Sequence, residues 1–182
     1  MSPSKPQAVL LVDGYNIIGN WPRLRDKRDR AGLEAARREL SETLVNYSTF
    51  QGYETRLVFD AQYQNNRAVE EIVTPHLSIH YTDHGQTADT FIEKLCADVR
   101  HEFRVQKKRL IVATSDRAQQ LTVMGYGAEW LSAEQFSREV DLMIQLCQRR
   151  YKSRKNSPKR FLANTLDAES QQRLAMLRKA LS

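Results

Sequence analysis

The stretch Ala8-Val-Leu-Leu-Val-Asp-Gly-Tyr-Asn-Ile-Ile-Gly19 decides the fold that we expect for this chain. Its first residues, Ala8 to Val12, are all apolar, and the run is long enough for one strand buried on both faces of a parallel sheet. Asp13 ends the run and Gly14 follows directly, so the chain turns where the carboxylate appears. Ligands of open parallel sheets bind outside the carboxyl ends of the strands. The stretch therefore indicates either a ligand-binding acid at Asp13 or, more plainly, an Asp-Gly turn.

Length and composition restrict the class of protein. The chain has 182 residues, which suits one domain with an appended arm, and 41% of them are hydrophobic. No apolar run approaches the roughly 20 residues that a membrane-spanning helix needs, and residues 1–7 are polar, unlike a secretory signal. Cys96 and Cys147 show no metal-binding or redox spacing, so we expect no disulfide. We expect a monomeric, cytoplasmic protein without a membrane partner.

The net charge of +6 favours an acidic partner, and the basic residues are unevenly distributed. One segment without any acid contains Arg149, Arg150, Lys152, Arg154, Lys155, Lys159 and Arg160. Such a segment can neutralise RNA phosphates, and the alternative is a solvated, partly disordered tail. We take its first five basic residues as candidate RNA contacts.

Hydrophobic periodicity predicts strands that alternate with helices. Strands are expected at residues 8–12, 55–59, 77–81, 109–113 and 128–131. Helices are expected at residues 31–50, 65–73, 87–103 and 132–151, with two more that begin at residues 116 and 167. Residues 23–30 are expected to form a polar loop. The alternation predicts an α/β domain with a mainly parallel sheet covered by helices on both sides.

Acidic side chains follow the predicted strands at one edge of this sheet. Asp13, Asp60 and Asp116 each come within a few residues of a strand end, and Asp89 begins the helix after the third strand. Carboxylates that share such an edge repel one another unless a cation neutralises them. Oxygen ligands of this kind suit Mg²⁺ or Mn²⁺. An ion held there can lower the pKa of a water molecule and position a phosphodiester for in-line attack.

Each acid also has an interpretation that involves no ligand. Asp116 is a candidate helix N-cap, Asp60 a turn former, and Asp89 a first-turn acid that favours the helix dipole. Glu93 lies one turn after Asp89 and either reaches the same site or stays solvated. The coincidence of acids at several strand ends favours the metal-binding interpretation.

Three segments carry a resemblance to a known family. The chain resembles NYN domains, a group of PIN-like nucleases, at Val12-Asp-Gly-Tyr-Asn16, Thr87-Ala-Asp-Thr-Phe-Ile-Glu93 and Val112-Ala-Thr-Ser-Asp116. The resemblance implies a PIN-like three-layer α/β/α fold and metal-dependent RNA cleavage. The length and the basic C-terminal segment further resemble the YacP-type branch, the ribosome-associated endoribonucleases of bacteria and plastids.

The resemblance also implies roles for individual residues. Asp13, Asp89 and Asp116 would be catalytic acids and ligands of the metal, with Asp60 as an outer ligand. Asn16 would be a catalytic residue that orients the substrate or a metal-bound water.

Two residues beside the acids are further candidates for RNA contact. Tyr15 follows the first acidic motif directly and either stacks on a nucleotide or packs within the loop. Ser115 would, by the resemblance, support Asp116 through a hydrogen bond.

These inferences combine into one hypothesis about organisation and function. We expect a nuclease domain at residues 1–151, and at residues 152–182 a basic arm and C-terminal helix packed on it. The resemblance implies an endoribonuclease that cleaves messenger RNA in the ribosomal decoding site. The first alternative is a PIN-like RNA- or ribosome-binding module without catalysis, and the second is a phosphatase or DNA nuclease.

Overall fold

A computed structural model describes residues 7–60, 69–83, 85–106 and 108–156 of the chain. Six strands and six helices follow one another in these residues. In chain order they are β1 (Ala8–Asp13), α1 (Gly14–Asn20), α2 (Pro22–Ala31), α3 (Leu33–Gln51), β2 (Tyr53–Phe59), β3 (Val69–Thr74), β4 (Leu77–Tyr81), α4 (Ala88–Gln106), β5 (Arg109–Ala113), α5 (Arg117–Gly125), β6 (Glu129–Leu131) and α6 (Ala133–Asn156).

The strands form one sheet in the order β3-β4-β2-β1-β5-β6. The edge strand β3 runs antiparallel to β4, whereas the other described neighbours are parallel. Asp13 is level with Val58 of β2, and Phe59 is level with Tyr81 of β4. The carboxyl ends of β1, β2 and β4 therefore lie at one edge, and the predicted mainly parallel α/β sheet is confirmed.

The two faces of the sheet bury different helices. Strand side chains alternate between the faces. On one face, a single apolar cluster joins the sheet to α4 and α5 through Val9, Leu11, Val58, Leu110, Val112, Ala88, Ile92, Cys96 and Val123. The other face meets α3, where Ser48 Oγ donates to Thr55 Oγ1 of β2 over 2.7 Å. The result is the three-layer α/β/α arrangement.

The expected polar loop at residues 23–30 is wrong, because these residues form α2. Pro22 occupies the first turn of α2, where proline fits a helix well, and Leu24 is the only residue of this helix that is buried. The ion pairs of Arg23 and Lys27 with Glu39 attach α2 to α3. A helix with one buried side chain shows no apolar period, so the sequence pattern did not reveal it.

The expected helix at residues 65–73 is also wrong over its described part, since residues 69–73 belong to β3. The strand is rich in the β-branched residues Val69, Ile72, Val73 and Thr74, which favour strands. Its side chains are exposed on both faces, so the apolar-polar alternation of a half-buried strand is missing. Residues 65–68 lie outside the described part of the chain.

The chain divides into two compact units, Met1–Met143 and Ile144–Ser182, and the division falls within α6. In the second unit the structure describes the end of α6, which exposes Arg149, Arg150 and Lys152. Arg154 and Lys155 belong to the same helix, and the helix expected from residue 167 lies outside the described residues. The arm and its packing on the domain therefore stay a prediction.

The sequence predicted neither a disulfide bond nor a membrane-spanning helix. Cys96 is buried and Cys147 is exposed, and no disulfide bond joins them. Among the helices in the described ranges, none has the length and apolar character needed to cross a bilayer.

Candidate active site

Asp13 is the last residue of β1 and the N-cap of α1. Its Oδ1 accepts a hydrogen bond from the backbone N–H of Asn16 over 3.0 Å, and only 8% of its surface is exposed. The turn predicted at Asp13-Gly14 is the start of this helix. The second carboxylate oxygen is not needed for the cap, so it remains available for other contacts.

Asp60 and Asp89 meet at the start of α4. The carboxylate of Asp60, one residue past β2, accepts a hydrogen bond from the backbone N–H of Ala88, the first residue of α4. Asp89 lies in the first turn of the same helix. The Asp60 carboxylate thus lies beside the second acidic motif.

Asp116 follows β5 and is the N-cap of α5, as one interpretation of the sequence proposed. Its Oδ1 accepts from the backbone N–H groups of Ala118 and Gln119 over 2.7 and 3.0 Å. The backbone N–H of Asp116 itself donates to Thr114 Oγ1 over 3.1 Å. The carboxamide of Gln119 is buried, and no partner for it is found in the part of the chain that the structure describes.

The pKa of Asp13 is raised from its ordinary value of 3.8 to about 7. Burial is the main cause, and the charges of Asp89 and Asp60 act in the same direction. The N–H of Asn16 lowers the pKa, as expected for a carboxylate that caps a helix, but it does not compensate. A cap residue whose charged form is disfavoured in this way is typical of a functional site.

The four acids influence one another. Burial raises the pKa of Asp89, and the negative charges of Asp116, Asp60 and Glu93 raise it further. A hydrogen bond between the carboxyl groups of Asp13 and Asp89 raises the pKa of Asp13 and lowers that of Asp89. The structure therefore brings Asp13, Asp60, Asp89 and Asp116 to one edge, where neighbouring carboxylates help to raise the pKa values of Asp13 and Asp89.

The donor chemistry of this edge is compatible with a divalent cation. Within the described residues, no three His, Cys, Asp or Glu side chains are arranged to hold a metal ion. The pair Asp13 and Asp89 nevertheless fits, because Mg²⁺ commonly takes one or two carboxylates and completes its shell with water and substrate oxygens. A cation between these carboxyl groups would also relieve the repulsion that raises their pKa values.

Asn16 connects the first and third acidic motifs. Its Oδ1 accepts from the backbone N–H of Ser115 over 2.7 Å, while its own N–H donates to Asp13. The amide oxygen of Asn16 is thus engaged with the chain, and its role in orienting substrate or water stays a prediction. Asn16 fixes the loop before Asp116 relative to Asp13.

The expected hydrogen bond from Ser115 to Asp116 is wrong. Ser115 Oγ accepts from the backbone N–H of Ala133, the first residue of α6, over 3.1 Å. Thr114, which is fully buried, supports Asp116 through its hydroxyl. The Ser115 hydroxyl therefore anchors the start of α6.

An aromatic cluster of Tyr15, Phe59 and Tyr81 borders the acids. The ring centroid of Phe59 lies 5.0 Å from that of Tyr15 and 5.9 Å from that of Tyr81. Gly14 is in contact with the same ring, since a Cβ atom at Gly14 would lie 2.2 Å from Phe59 Cε1. Tyr15 thus packs on the core, as one interpretation of the sequence proposed, and it remains partly exposed.

Arg37 of α3 completes the cluster and was not foreseen. Its guanidinium lies 5.5 Å from the ring centroid of Tyr15 and 5.8 Å from that of Phe59. Burial raises the pKa of Tyr81, and the positive charge of Arg37 opposes that effect. No sequence signal distinguishes Arg37, which is one of several basic residues in an amphipathic helix.

Comparison with known proteins reveals clear relatives. The profile of the YacP-like NYN domain family matches residues 10–179. The uncharacterized protein YacP of Bacillus subtilis (strain 168) is 36% identical over 143 residues, which cover 78% of this chain and 80% of YacP. Two crystal structures of Rae1 (YacP) from Bacillus subtilis, one of them of a point mutant, are each 30% identical to it. The mutant structure gives a TM-score of 0.69 over 86% of this chain and 89% of that chain, and the other structure gives 0.61 over 94% of both.

Proposed function

Because the chain belongs to the YacP-like NYN domain family, within the nuclease-like PIN superfamily, we propose that it is an endoribonuclease dependent on Mg²⁺ or Mn²⁺. The observation that carries this proposal is the carboxyl pair Asp13 and Asp89, whose pKa values are raised among further acids. Like charges held together beside a polyanion site weaken simple binding of RNA. They are useful where a cation is to be bound next to a phosphate.

We further propose that the substrate is messenger RNA on the ribosome, which makes the protein cytoplasmic. Membership of the YacP-like family supports this step, as does the resemblance of the length and the basic C-terminal segment to the YacP-type branch. The exposed basic residues Arg149, Arg150 and Lys152 of α6 also support it, because they can neutralise RNA phosphates. Arg154 and Lys155 extend the same helix segment. The protein would act as a monomer.

In the proposed mechanism, Asp13 and Asp89 would hold the cation, and Asp116 and Asp60 would add negative charge around it. A divalent ion bound there would supply positive charge to stabilise the scissile phosphate and would lower the pKa of a water molecule, and the expected products carry 5′-phosphate and 3′-hydroxyl ends. Asp13 must lose its proton to act as a ligand, so its raised pKa makes the site sensitive to pH near 7. Asn16 keeps the first and third motifs at a fixed separation.

A second candidate function is an RNA-binding module without catalysis. The observation in its favour is that the described residues contain no group of three side chains arranged to hold a metal. Under this alternative the acids would serve only as helix caps, a role that Asp13 and Asp116 do fill.

A substrate panel separates these functions. The purified chain would be incubated with end-labelled single-stranded RNA, DNA of the same sequence and a small phosphomonoester, each with Mg²⁺, Mn²⁺ or EDTA. RNA should be cut in its interior only when a divalent ion is present, and programmed ribosomes should increase the rate. RNA binding without cleavage under all conditions would favour the module, and cleavage that survives EDTA would contradict the metal. Preferred hydrolysis of DNA or of the phosphomonoester would change the substrate class.

A further inference from the structure

Arg37 carries a charge that its surroundings only partly compensate. Its side chain is 16% exposed, and its Nη1 lies 3.2 Å from Oε2 of Glu34, whose side chain is 73% exposed. Its Nε is buried and has no hydrogen-bond partner among the residues that the structure describes. Arg37 also forms a side-chain hydrogen bond with Tyr81. A guanidinium withdrawn from water normally forms all of its hydrogen bonds, and the contacts with Glu34 and Tyr81 use only part of its five N–H donors, so donor capacity remains for a ligand.

The position of Arg37 relative to the acids follows from the sheet register. Asp13 is level with Val58, so these two side chains point to the same face of the sheet. Phe59, the next residue, points to the opposite face together with Tyr81. The acids and the aromatic cluster therefore flank the same carboxyl edge, with Gly14 between them in contact with the Phe59 ring. A strand of nucleic acid that crosses this edge would meet both groups.

The chemistry of Arg37 suits a phosphate. The guanidinium lies near two aromatic rings, which restricts its motion, and Glu34 and Tyr81 occupy only part of its N–H donors. A planar fork of N–H donors binds phosphate oxygens in a bidentate manner. The main influences on the pKa values of Asp13 and Asp89 are burial and other carboxylates, so the acid pair is not neutralised by this cation.

We propose that Arg37 binds an RNA phosphate adjacent to the one held at Asp13 and Asp89, and that Tyr15 and Tyr81 contact the attached nucleotide. This inference rests on the proposed function, because it takes RNA as the ligand of the acid edge. It adds a substrate-binding residue on α3, outside the three acidic motifs. Single-stranded RNA is the form that fits, since partly exposed aromatic side chains stack on unpaired bases.

The test measures binding apart from cleavage. All chains would carry Asp13→Asn, which removes catalysis, and fluorescence anisotropy with a short labelled single-stranded RNA would be recorded over a range of salt concentrations. Arg37→Gln should weaken binding about tenfold, as expected for loss of a charged hydrogen bond. The slope of log K against log salt should become shallower by about 0.7, the value for one phosphate of a single strand.

Arg38→Gln is the matched control, because Arg38 follows Arg37 on α3, is exposed, and its loss changes the net charge equally. Equal losses of affinity in the two variants would show that the change in net charge, and not a specific contact of Arg37, weakens binding, and would overturn the proposal. Unchanged binding by a folded Arg37→Gln chain would overturn the proposal too. In that case RNA binding by the parent chain would still support RNA as the substrate, so the proposed function would stand. If neither this parent nor the wild-type chain with Mg²⁺ bound or cleaved RNA, the proposed function itself would fail.

Arg37→Lys keeps the proposal testable if Arg37→Gln does not fold. Lysine retains the charge but lacks the planar fork and stacks poorly, so we expect binding several-fold weaker than the parent with a similar salt slope. Thermal unfolding of each variant would confirm that it is folded. Parental affinity in a folded Arg37→Lys chain would contradict bidentate recognition at this position.

Discussion

Asp13→Asn is expected to lower the rate of RNA cleavage by about 1,000-fold, equivalent to about 4 kcal/mol of transition-state stabilisation. The amide removes one of the two carboxylates that we assign to the cation. It keeps the oxygen that accepts the N–H of Asn16, so the cap of α1 should survive. Single-turnover cleavage of labelled RNA in Mg²⁺ measures the loss.

The same substitution should stabilise the fold in metal-free buffer at alkaline pH. The pKa of Asp13 is raised from 3.8 to about 7, so the folded state retains a proton that the unfolded chain has lost. Ionised Asp13 is therefore disfavoured in the folded state. The resulting loss of folding stability is absent below about pH 4, grows as the pH rises, and reaches up to about 4 kcal/mol above about pH 7. Asparagine is neutral and avoids the penalty. Urea unfolding should show the gain near pH 8 and little of it near pH 4.

Asp26→Asn is the control for both effects. Asp26 is an exposed carboxylate on α2 and lies outside the acid cluster, so neither activity nor pH dependence should change appreciably. An Asp13→Asn protein that cleaved RNA at the parental rate would remove Asp13 from the mechanism. A variant that was less stable than the parent near pH 8 would contradict the assigned burial penalty.

Gly14→Ala is expected to reduce the free energy of unfolding by about 1–3 kcal/mol, the usual cost of overpacking, and to abolish most of the cleavage. The new Cβ would lie 2.2 Å from Cε1 of Phe59, a ring that is fully buried and held by Tyr15 and Tyr81. Either the ring or the start of α1 must move, and α1 carries the backbone N–H that binds Asp13. Denaturant unfolding and the cleavage assay on the same preparation test this.

Gly19→Ala provides the matched comparison within α1. A Cβ atom there meets nothing within 4 Å, so the alanine should be neutral or should stabilise the helix by up to about 1 kcal/mol. Replacing the ring in Gly14→Ala/Phe59→Leu should recover part of the activity if the clash is the cause. Full stability and activity in the single Gly14→Ala variant would contradict the close contact between Gly14 and the ring.

The sheet and the convergence of the acids were accessible from sequence for a physical reason. β1 and β5 contain continuous apolar runs, β2 ends in one, and β4 alternates apolar and polar residues. Acids that follow parallel strands necessarily share one edge of the sheet. By contrast, α2 buries a single side chain and β3 is exposed on both faces. Hydrophobic periodicity in a sequence reflects which side chains are buried, so it does not predict an element that buries almost no side chain.

The finer structure of the site depends on contacts between residues far apart in the chain. Asn16 accepts a hydrogen bond from the backbone of Ser115, which lies 99 positions later in the chain. Arg37 of α3 lies near the rings of Tyr15 on α1 and Phe59 on β2. Contacts between such distant residues cannot be predicted from residue type and spacing. The same holds for the raised pKa of Asp13, because the sequence shows the charge but not the burial that dominates the shift.

The central claim is that Asp13 and Asp89 together hold a divalent cation, and calorimetric titration with Mn²⁺ tests it most directly. At about pH 7, in two buffers of different ionisation enthalpy, the wild-type chain should bind the ion and release part of a proton, because Asp13 must ionise to become a ligand. Asp13→Asn should abolish both signals. Binding of equal strength in wild type and variant, or no binding by the wild type, would contradict the account.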